Sequence, residues 1–443
     1  MQNNNIDTFS SLTKHHKEAI GLLSVGTFLE YFDLMIYVHM AVLLNELFFP
    51  KTDPNTTALI SAGAFCTTFV FRPLGALIFG WIGDNVGRKA TVVITTAMMA
   101  ISCAIMANLP TYAQIGIAAS WAITICRIIQ GLTSMGEIIG AEIYLTELIR
   151  PPARYPIVYF MQCAATVGGM TALAMATIIF SLRLEWRIVF WIGAMIALVG
   201  SVARTVLRET PEFADAKRRI KIKYNKLHVD QKTLKEDVFF KTKVNPKTAL
   251  ACLLIQCGSP ICFYFRYIYC GDLLKNQFHF TAEQVIKQNL IVSIINILAI
   301  LCITYLCYRI NPLKIIKCIM IVFSFFILFI PFLLPHLTCA FEIFIIQIFL
   351  NFFAIDGSIA NPVLFVHFPI FKRFTYTSFI YALSRALTYI IGSFGLVYLI
   401  KQFDSWGLLI IFIPITLGFN FGISHFEKLE KAAENHRLNS FPN

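Results

Sequence analysis

Gly80-Trp81-Ile82-Gly83-Asp84-Asn85-Val86-Gly87-Arg88-Lys89 is a short polar turn between two long apolar runs. Residues 57–79 precede it and 90–108 follow it, and each run can cross about 30 Å of hydrocarbon at about 1.5 Å of helical rise per residue. The turn therefore sits at one face of a membrane. Gly80, Gly83 and Gly87 let two helices close over a tight backbone, Asp84 can sit near a helix N-terminus, and Arg88 with Lys89 put positive charge at the mouth. That cluster favours the cytoplasmic side.

A chain of 443 residues that is 57% hydrophobic and 14% charged would expose too much apolar surface as a set of soluble domains. Its net charge of +12 is spread over short loops between apolar runs, which fits an inside-positive membrane protein and not a nucleic-acid partner. The twelve cysteines lie almost wholly inside apolar runs with no Cys-x-x-Cys, so they read as small membrane hydrophobes, and no metal site is expected. Residues 1–17 are polar and lead into a long span without a small-residue cleavage site, so the first helix is expected to stay in the mature chain.

Runs of bilayer length fall at residues 20–46, 57–79, 90–108, 112–144, 155–180, 186–207, 247–270, 287–307, 313–335, 338–366, 375–400 and 405–424, twelve in all. They predict an all-α membrane protein with twelve transmembrane helices in two pseudo-symmetric six-helix halves. The expected order is a cytoplasmic N-terminus at 1–19, a first half at 20–207, a cytoplasmic linker at 208–246, a second half at 247–424 and a short cytoplasmic tail at 425–443. With both termini inside, the connections carry 25 Lys and Arg on the cytoplasmic side and six on the other, which sets the topology. The long hydrophilic stretch, Arg208 to Asn245, reads as a solvated linker, with a helix lying on anionic lipid as the other reading. Two parallel repeats of this kind place a substrate site between them near mid-bilayer. Internal repetition is weak: opposite Gly80 to Lys89 the second half has Cys307 to Lys314, where only the basic residues survive.

An ionisable group inside a span costs about 2.5 to 3.5 kcal/mol on insertion scales, so each one asks for a reason. Here they are Glu30 and Asp33 in span one, Arg72 in span two, Arg127, Glu137 and Glu142 in span four, Arg266 in span seven, Glu342 and Asp356 in span ten, and Arg385 in span eleven. Glu30, Asp33 and Tyr37 share a face of helix 1 that looks into a polar cavity. Asp33 reads either as a proton carrier or substrate-ammonium partner, or as a structural ion pair with Arg72 or Arg127. Glu137, ten residues beyond Arg127, reads either as a proton site or as the fixed partner of a cytoplasmic-side arginine. Gly136 and Gly140 form a Gly-x-x-x-Gly that admits a neighbouring helix. Asp356 precedes Gly357 and Asn361-Pro362, where a kink would free backbone carbonyls.

The turn from Gly80 to Lys89 resembles the loop between helices 2 and 3 of the major facilitator superfamily, with Asn85 where that family usually has a basic residue. Further stretches resemble its metabolite:proton symporter branch, which includes proline/betaine, 2-oxoglutarate, citrate and shikimate carriers. They are Glu30-Tyr31-Phe32-Asp33, Phe71-Arg72-Pro73-Leu74-Gly75-Ala76, Arg127-Ile128-Ile129-Gln130-Gly131 followed by Gly136-Glu137, Tyr144-Leu145-Thr146-Glu147, Trp186-Arg187 and Arg208-Glu209-Thr210-Pro211-Glu212-Phe213. In the second half, Phe368-Pro369 and Arg373-Phe374-Thr375-Tyr376-Thr377 match loosely.

The resemblance implies proton-coupled uptake by alternating access in a bacterial inner membrane, driven by the proton gradient with no cofactor. Asp33, Glu30, Tyr37, Arg72, Arg127, Glu137, Arg266, Asp356 and Arg385 are the candidates for proton and substrate handling. Gly80, Asp84, Gly87, Arg88 and Lys89 would form the cytoplasmic gate. The expected partners are a small-molecule substrate, protons and the lipid bilayer, with no nucleic acid, and the chain is expected to act as a monomer. The substrate is expected to be of the proline/betaine type, with an organic acid as the alternative. The tail after Ser424 lacks sustained heptads, so osmosensing by a coiled coil is not expected. A drug antiporter, a non-transporting sensor and a membrane enzyme are the rival classes; no histidine cluster, nucleophile elbow or phosphate loop supports the last.

Overall fold

The computed structural model describes residues 12–50, 69–182, 184–227 and 243–439. In chain order its main helices are α1 (Lys14–Phe48), α2 (Arg72–Asn85), α3 (Arg88–Asn108), α4 (Ile117–Leu148), α5 (Arg154–Leu182), α6 (Arg187–Arg204), α7 (Pro211–Leu227) and α8 (Pro246–Gln256). There follow α9 (Gly258–Phe263), α10 (Cys270–Phe278), α11 (Ala282–Arg309), α12 (Pro312–Leu333), α13 (Ala340–Phe353), α14 (Ile370–Ile390) and α15 (Gly407–Asn439). Among the described residues ten helical stretches are long and apolar enough to cross a membrane. Expected span two begins outside the described residues, and span eleven starts within α14, whose sequence carries Lys372, Arg373 and Arg385, and runs past its end at Ile390.

The chain divides into two compact units, one of residues 1–243 with 368–382 and one of residues 244–367 with 383–443. In the first unit α1 packs on α5, α2 on α4 and α3 on α6. Phe32, Ile36, Met40, Leu44 and Phe48 form an i, i+4 stripe along α1 that is buried against Cys126, Ala172, Ala176 and Phe190. In the second unit α8 and α12 pack on α15, and α11 packs on α13. Phe412 of α15 meets Phe265 at 5.6 Å and Phe323 at 5.8 Å between ring centroids. Phe325, Phe329 and Phe332 of α12 stay exposed, as expected of side chains facing hydrocarbon.

Three elements depart from the hydropathy spans. The stretch read as a solvated linker is helical from Pro211, because Thr210 and Phe213 are buried against the first unit and hold its start in place. The tenth span is broken: α13 ends at Phe353, and a tight turn from Gly357 to Ala360 follows, with Asp356 accepting the Ser358 N–H at 3.0 Å. The expected tail continues α15 as far as Asn439, pinned by fully buried Phe426 and by Glu427, which accepts from Lys317 Nζ at 2.9 Å. Asn311, in the second-half turn, caps α12 by accepting the Leu313 N–H at 2.9 Å.

Candidate functional site

Two ion pairs lie side by side on α1. Arg72 Nη2 donates to Glu30 Oε1 at 3.0 Å, and both side chains are 3% exposed. One turn further on, Arg127 Nη1 donates to Asp33 Oδ2 at 3.2 Å. The other Asp33 oxygen accepts from Gln130 Nε2 at 2.8 Å and from the Cys103 thiol at 3.5 Å. Arg127 and Gln130 are three apart on α4, so one helical face presents both, and Arg127 Nη1 also donates to the Gln130 oxygen at 2.7 Å. The result is a closed, buried constellation on α1, α3 and α4. A paired charge at this depth loses much of its insertion cost, and removing one partner restores it to the other.

The second cluster surrounds the turn Gly80 to Lys89. Arg88 opens α3 with its positive side chain at the positive end of a helix dipole, so it needs acidic company. Its Nη2 donates to Glu147 Oε1 at 2.9 Å, its Nε to Glu147 Oε2 at 3.0 Å and its Nη1 to Asp84 Oδ1 at 3.2 Å, all fully buried. Gly87 has φ +152°, and a Cβ there would strike the Glu209 carboxylate. Glu209 Oε1 in turn accepts the Arg88 N–H at 3.1 Å, supplying the cap that Gly87 has no side chain to give.

Asp84 lies in the last turn of its own helix but serves another. It accepts the N–H groups of Phe374 at 3.0 Å and Thr375 at 2.9 Å, and the Thr375 hydroxyl at 2.7 Å, in the early turns of α14. A Cβ on Gly80 would come within 2.6 Å of Thr375 Cα, so the two backbones touch there. Arg373 Nη1 closes the cluster by donating to Glu147 Oε1 at 3.0 Å and Glu212 Oε2 at 2.9 Å. Thr210 adds a hydroxyl to Glu147 Oε2 at 2.6 Å. Lys89 is half-buried and joins no ion pair among the described residues, and Asn85 folds back onto the Trp81 carbonyl at 2.9 Å.

In the second unit Arg266 Nη1 donates to Asn351 Oδ1 at 2.7 Å and, more weakly, to Asn296 Oδ1 at 3.4 Å. Asp356 is committed to Ser358, accepting its N–H and, at 2.8 Å, its hydroxyl. Arg385 Nη1 donates to Ser384 Oγ at 3.3 Å. The side chains of Tyr37 and Glu137 lie outside the described residues.

The sequence therefore points at Asp33 with Arg127, and at Asp84 with Arg88, and the structure brings each of these pairs together. Its reading of the charges passes over Gln130, Glu147, Glu209 and Arg373 as partners. It also passes over Arg204, which is fully buried at the end of α6 and donates to the Leu22 carbonyl at 3.0 Å and to the Thr96 hydroxyl. Hydropathy places Arg204 near a span end, where a charge asks for no explanation. The available signal for Gln130, Glu147, Glu209 and Arg373 was in the runs Arg127 to Gly131, Tyr144 to Glu147, Arg208 to Phe213 and Arg373 to Thr377.

A family model described as Major Facilitator Superfamily matches residues 23–393. The inner membrane metabolite transport protein YhjE of Escherichia coli K12 is 35% identical over 225 residues, which cover 48% of this chain and 51% of that protein. The proline/betaine transporter of Salmonella typhimurium LT2 is 27% identical over 278 residues, 60% of this chain and 54% of its own length. The alpha-ketoglutarate permease of E. coli K12 is 30% identical over 211 residues, 46% of this chain and 49% of that one. The matched region thus spans about half the length of these relatives. Among solved structures, the proton:xylose symporter XylE bound to 6-bromo-6-deoxy-D-glucose superposes with a TM-score of 0.72 at 15% identity, covering 94% of this chain and 95% of that one. With that fold goes the arrangement of twelve membrane helices in two six-helix halves that the apolar runs predict. Since the family model covers most of the chain and the fold agrees with it, the chain belongs to the major facilitator superfamily.

Proposed function

We propose that this chain is a proton-coupled symporter that imports a small polar metabolite of the proline/betaine type across a bacterial inner membrane by alternating access. The observation that carries the reading is Asp33, a membrane-depth carboxylate held by Arg127, Gln130 and Cys103 and 5% exposed. A proton on Asp33 removes the charge that Arg127 opposes, so proton binding and release change what this constellation holds. The cluster of Asp84, Arg88, Glu147 and Arg373 is the gate, assigned to the cytoplasmic side by the positive charge of its turn, and its closed pairing marks one end of the cycle. Opening it exchanges these contacts for water, and a bias of a few kcal/mol decides which state is populated.

The relative named proline/betaine transporter supports this substrate type, and the metabolite transport protein supports a small metabolite in general. A second reading, an organic-acid symporter, is favoured by the alpha-ketoglutarate permease among the relatives. The deciding experiment is uptake of labelled proline, glycine betaine and 2-oxoglutarate into proteoliposomes with and without an inward proton gradient, for wild type and Asp33→Asn. Gradient-driven uptake of one class, lost in Asp33→Asn while binding persists, is the expected result. Uptake that survives the substitution reduces Asp33 to a structural charge. A wild type that moves none of the three overturns the substrate assignment.

A further inference from the structure

We propose that Arg266 anchors a carboxylate of the transported compound. The proposal rests on the transport reading above and names the substrate group that the second unit takes. Arg266 sits on the wide turn Tyr264–Tyr269, where the backbone opens into a π form between α9 and α10, a distortion of α-helices found frequently at functional sites. Its acceptors are the Asn351 and Asn296 side chains, and amide oxygens carry no charge. Its Nε is buried without an acceptor, and no carboxylate among the described residues pairs with it. Arg72, Arg88, Arg127 and Arg373 each meet a Glu or Asp. Arg266 is thus a membrane-depth cation with no acidic partner among the described residues.

The surroundings are built to take a polar guest. Gln347 Nε2 donates to the Arg266 carbonyl at 2.8 Å and to Asn289 Oδ1 at 3.2 Å, and Gln288 donates to Gln347 at 2.8 Å. The Tyr267 ring lies 4.7 Å from the guanidinium carbon, with its hydroxyl 3.2 Å from Ser293. Asn289, Ser293 and Asn296 recur at i, i+4 and i+7, one stripe of α11, and all three are half-buried. The opposite stripe, Ile291, Ile294, Leu298 and Leu301, is exposed and suited to lipid. The half-buried polar stripe is thus turned away from the face suited to lipid, toward the side that carries Arg266. A guanidinium edge with N–H groups to spare, set among neutral amides, fits the two oxygens of a carboxylate.

The test is binding to the full chain in nanodiscs. Labelled glycine betaine, L-proline and 2-oxoglutarate are compared with choline and prolinamide, which lack the carboxylate, for wild type, Arg266→Gln and Arg266→Lys. The carboxylates are expected to bind wild type and to weaken at least about thirtyfold in Arg266→Gln, with partial recovery in Arg266→Lys. Asn296→Asp sets a carboxylate beside Arg266 from within the chain, so it is expected to keep or raise the melting temperature while blocking the same ligands. Undiminished carboxylate binding in Arg266→Gln, equal binding of choline and prolinamide, or a wild type that binds no carboxylate overturns the proposal. Arg266-dependent binding without gradient-driven uptake upholds it and sinks the transport reading alone; uptake that ignores Arg266 does the reverse.

Discussion

Arg373 and Glu147, 226 positions apart in the chain, meet at 3.0 Å with their side chains 6% and 0% exposed. Glu147 also takes two nitrogens of Arg88 and the Thr210 hydroxyl, so one carboxylate ties α4 to α3, α14 and the residues that open α7. A single charge with that many dependants is a weak point.

Glu147→Gln keeps the shape and removes the charge. Arg88 and Arg373 then stay buried with less than their due of negative partners, and a loss of about 3 to 5 kcal/mol is expected. Thermal unfolding of the purified variant in detergent reads it. A melting curve equal to wild type would show that the cluster is not the clamp its geometry suggests.

Gly87→Ala meets two obstacles at once, the positive φ and the Glu209 carboxylate. The expected destabilisation is about 1 to 3 kcal/mol from the backbone alone, plus the clash. Pairing it with Glu209→Ala relieves the clash and leaves the backbone strain. The double variant should therefore recover only part of the loss, and full recovery would contradict the role given to φ.

At the Asp33 constellation, Asp33→Asn and Arg127→Gln are each expected to lower the melting temperature, because each leaves the partner's charge buried without its opposite. The double variant should cost less than the two single losses added together, by about 0.5 to 3 kcal/mol of coupling. Strict additivity would mean that the 3.2 Å contact contributes nothing.

Glu427→Gln provides the contrast. Lys317 and Glu427 are 44% and 23% exposed, so water screens them, and a change within about 1 kcal/mol is expected despite a 2.9 Å contact. A loss as large as that of Glu147→Gln would show that distance and not burial sets the strength of these pairs.

The membrane architecture was legible because hydropathy needs only local sequence: ten of the twelve apolar runs correspond to bilayer-length helices among the described residues. Asp33 and Arg127 stood out for a related reason, since a charge in an apolar run is visible without its partner. Partners are another matter. Nothing local tells Glu147 that it meets Arg373, or Arg266 that its side-chain hydrogen bonds go to amides. The basic, broken pattern of α7 left a solvated linker and a surface helix both open, because the burial of Phe213 that fixes the helix start is a tertiary fact. The break after Phe353 was hidden by apolar residues that satisfy a hydropathy window whether or not the helix runs on.

Of the four hydrogen bonds Asp84 accepts from Arg88, Phe374 and Thr375, two come from main-chain N–H groups. No replacement of the Phe374 side chain, proline excepted, deletes the bond from its backbone. The latch is written partly in peptide units, which every residue but one carries, so its hold at that point outlasts side-chain drift. A search for compensating substitutions opposite Asp84 would register Arg88 and the Thr375 hydroxyl and miss half of what it holds.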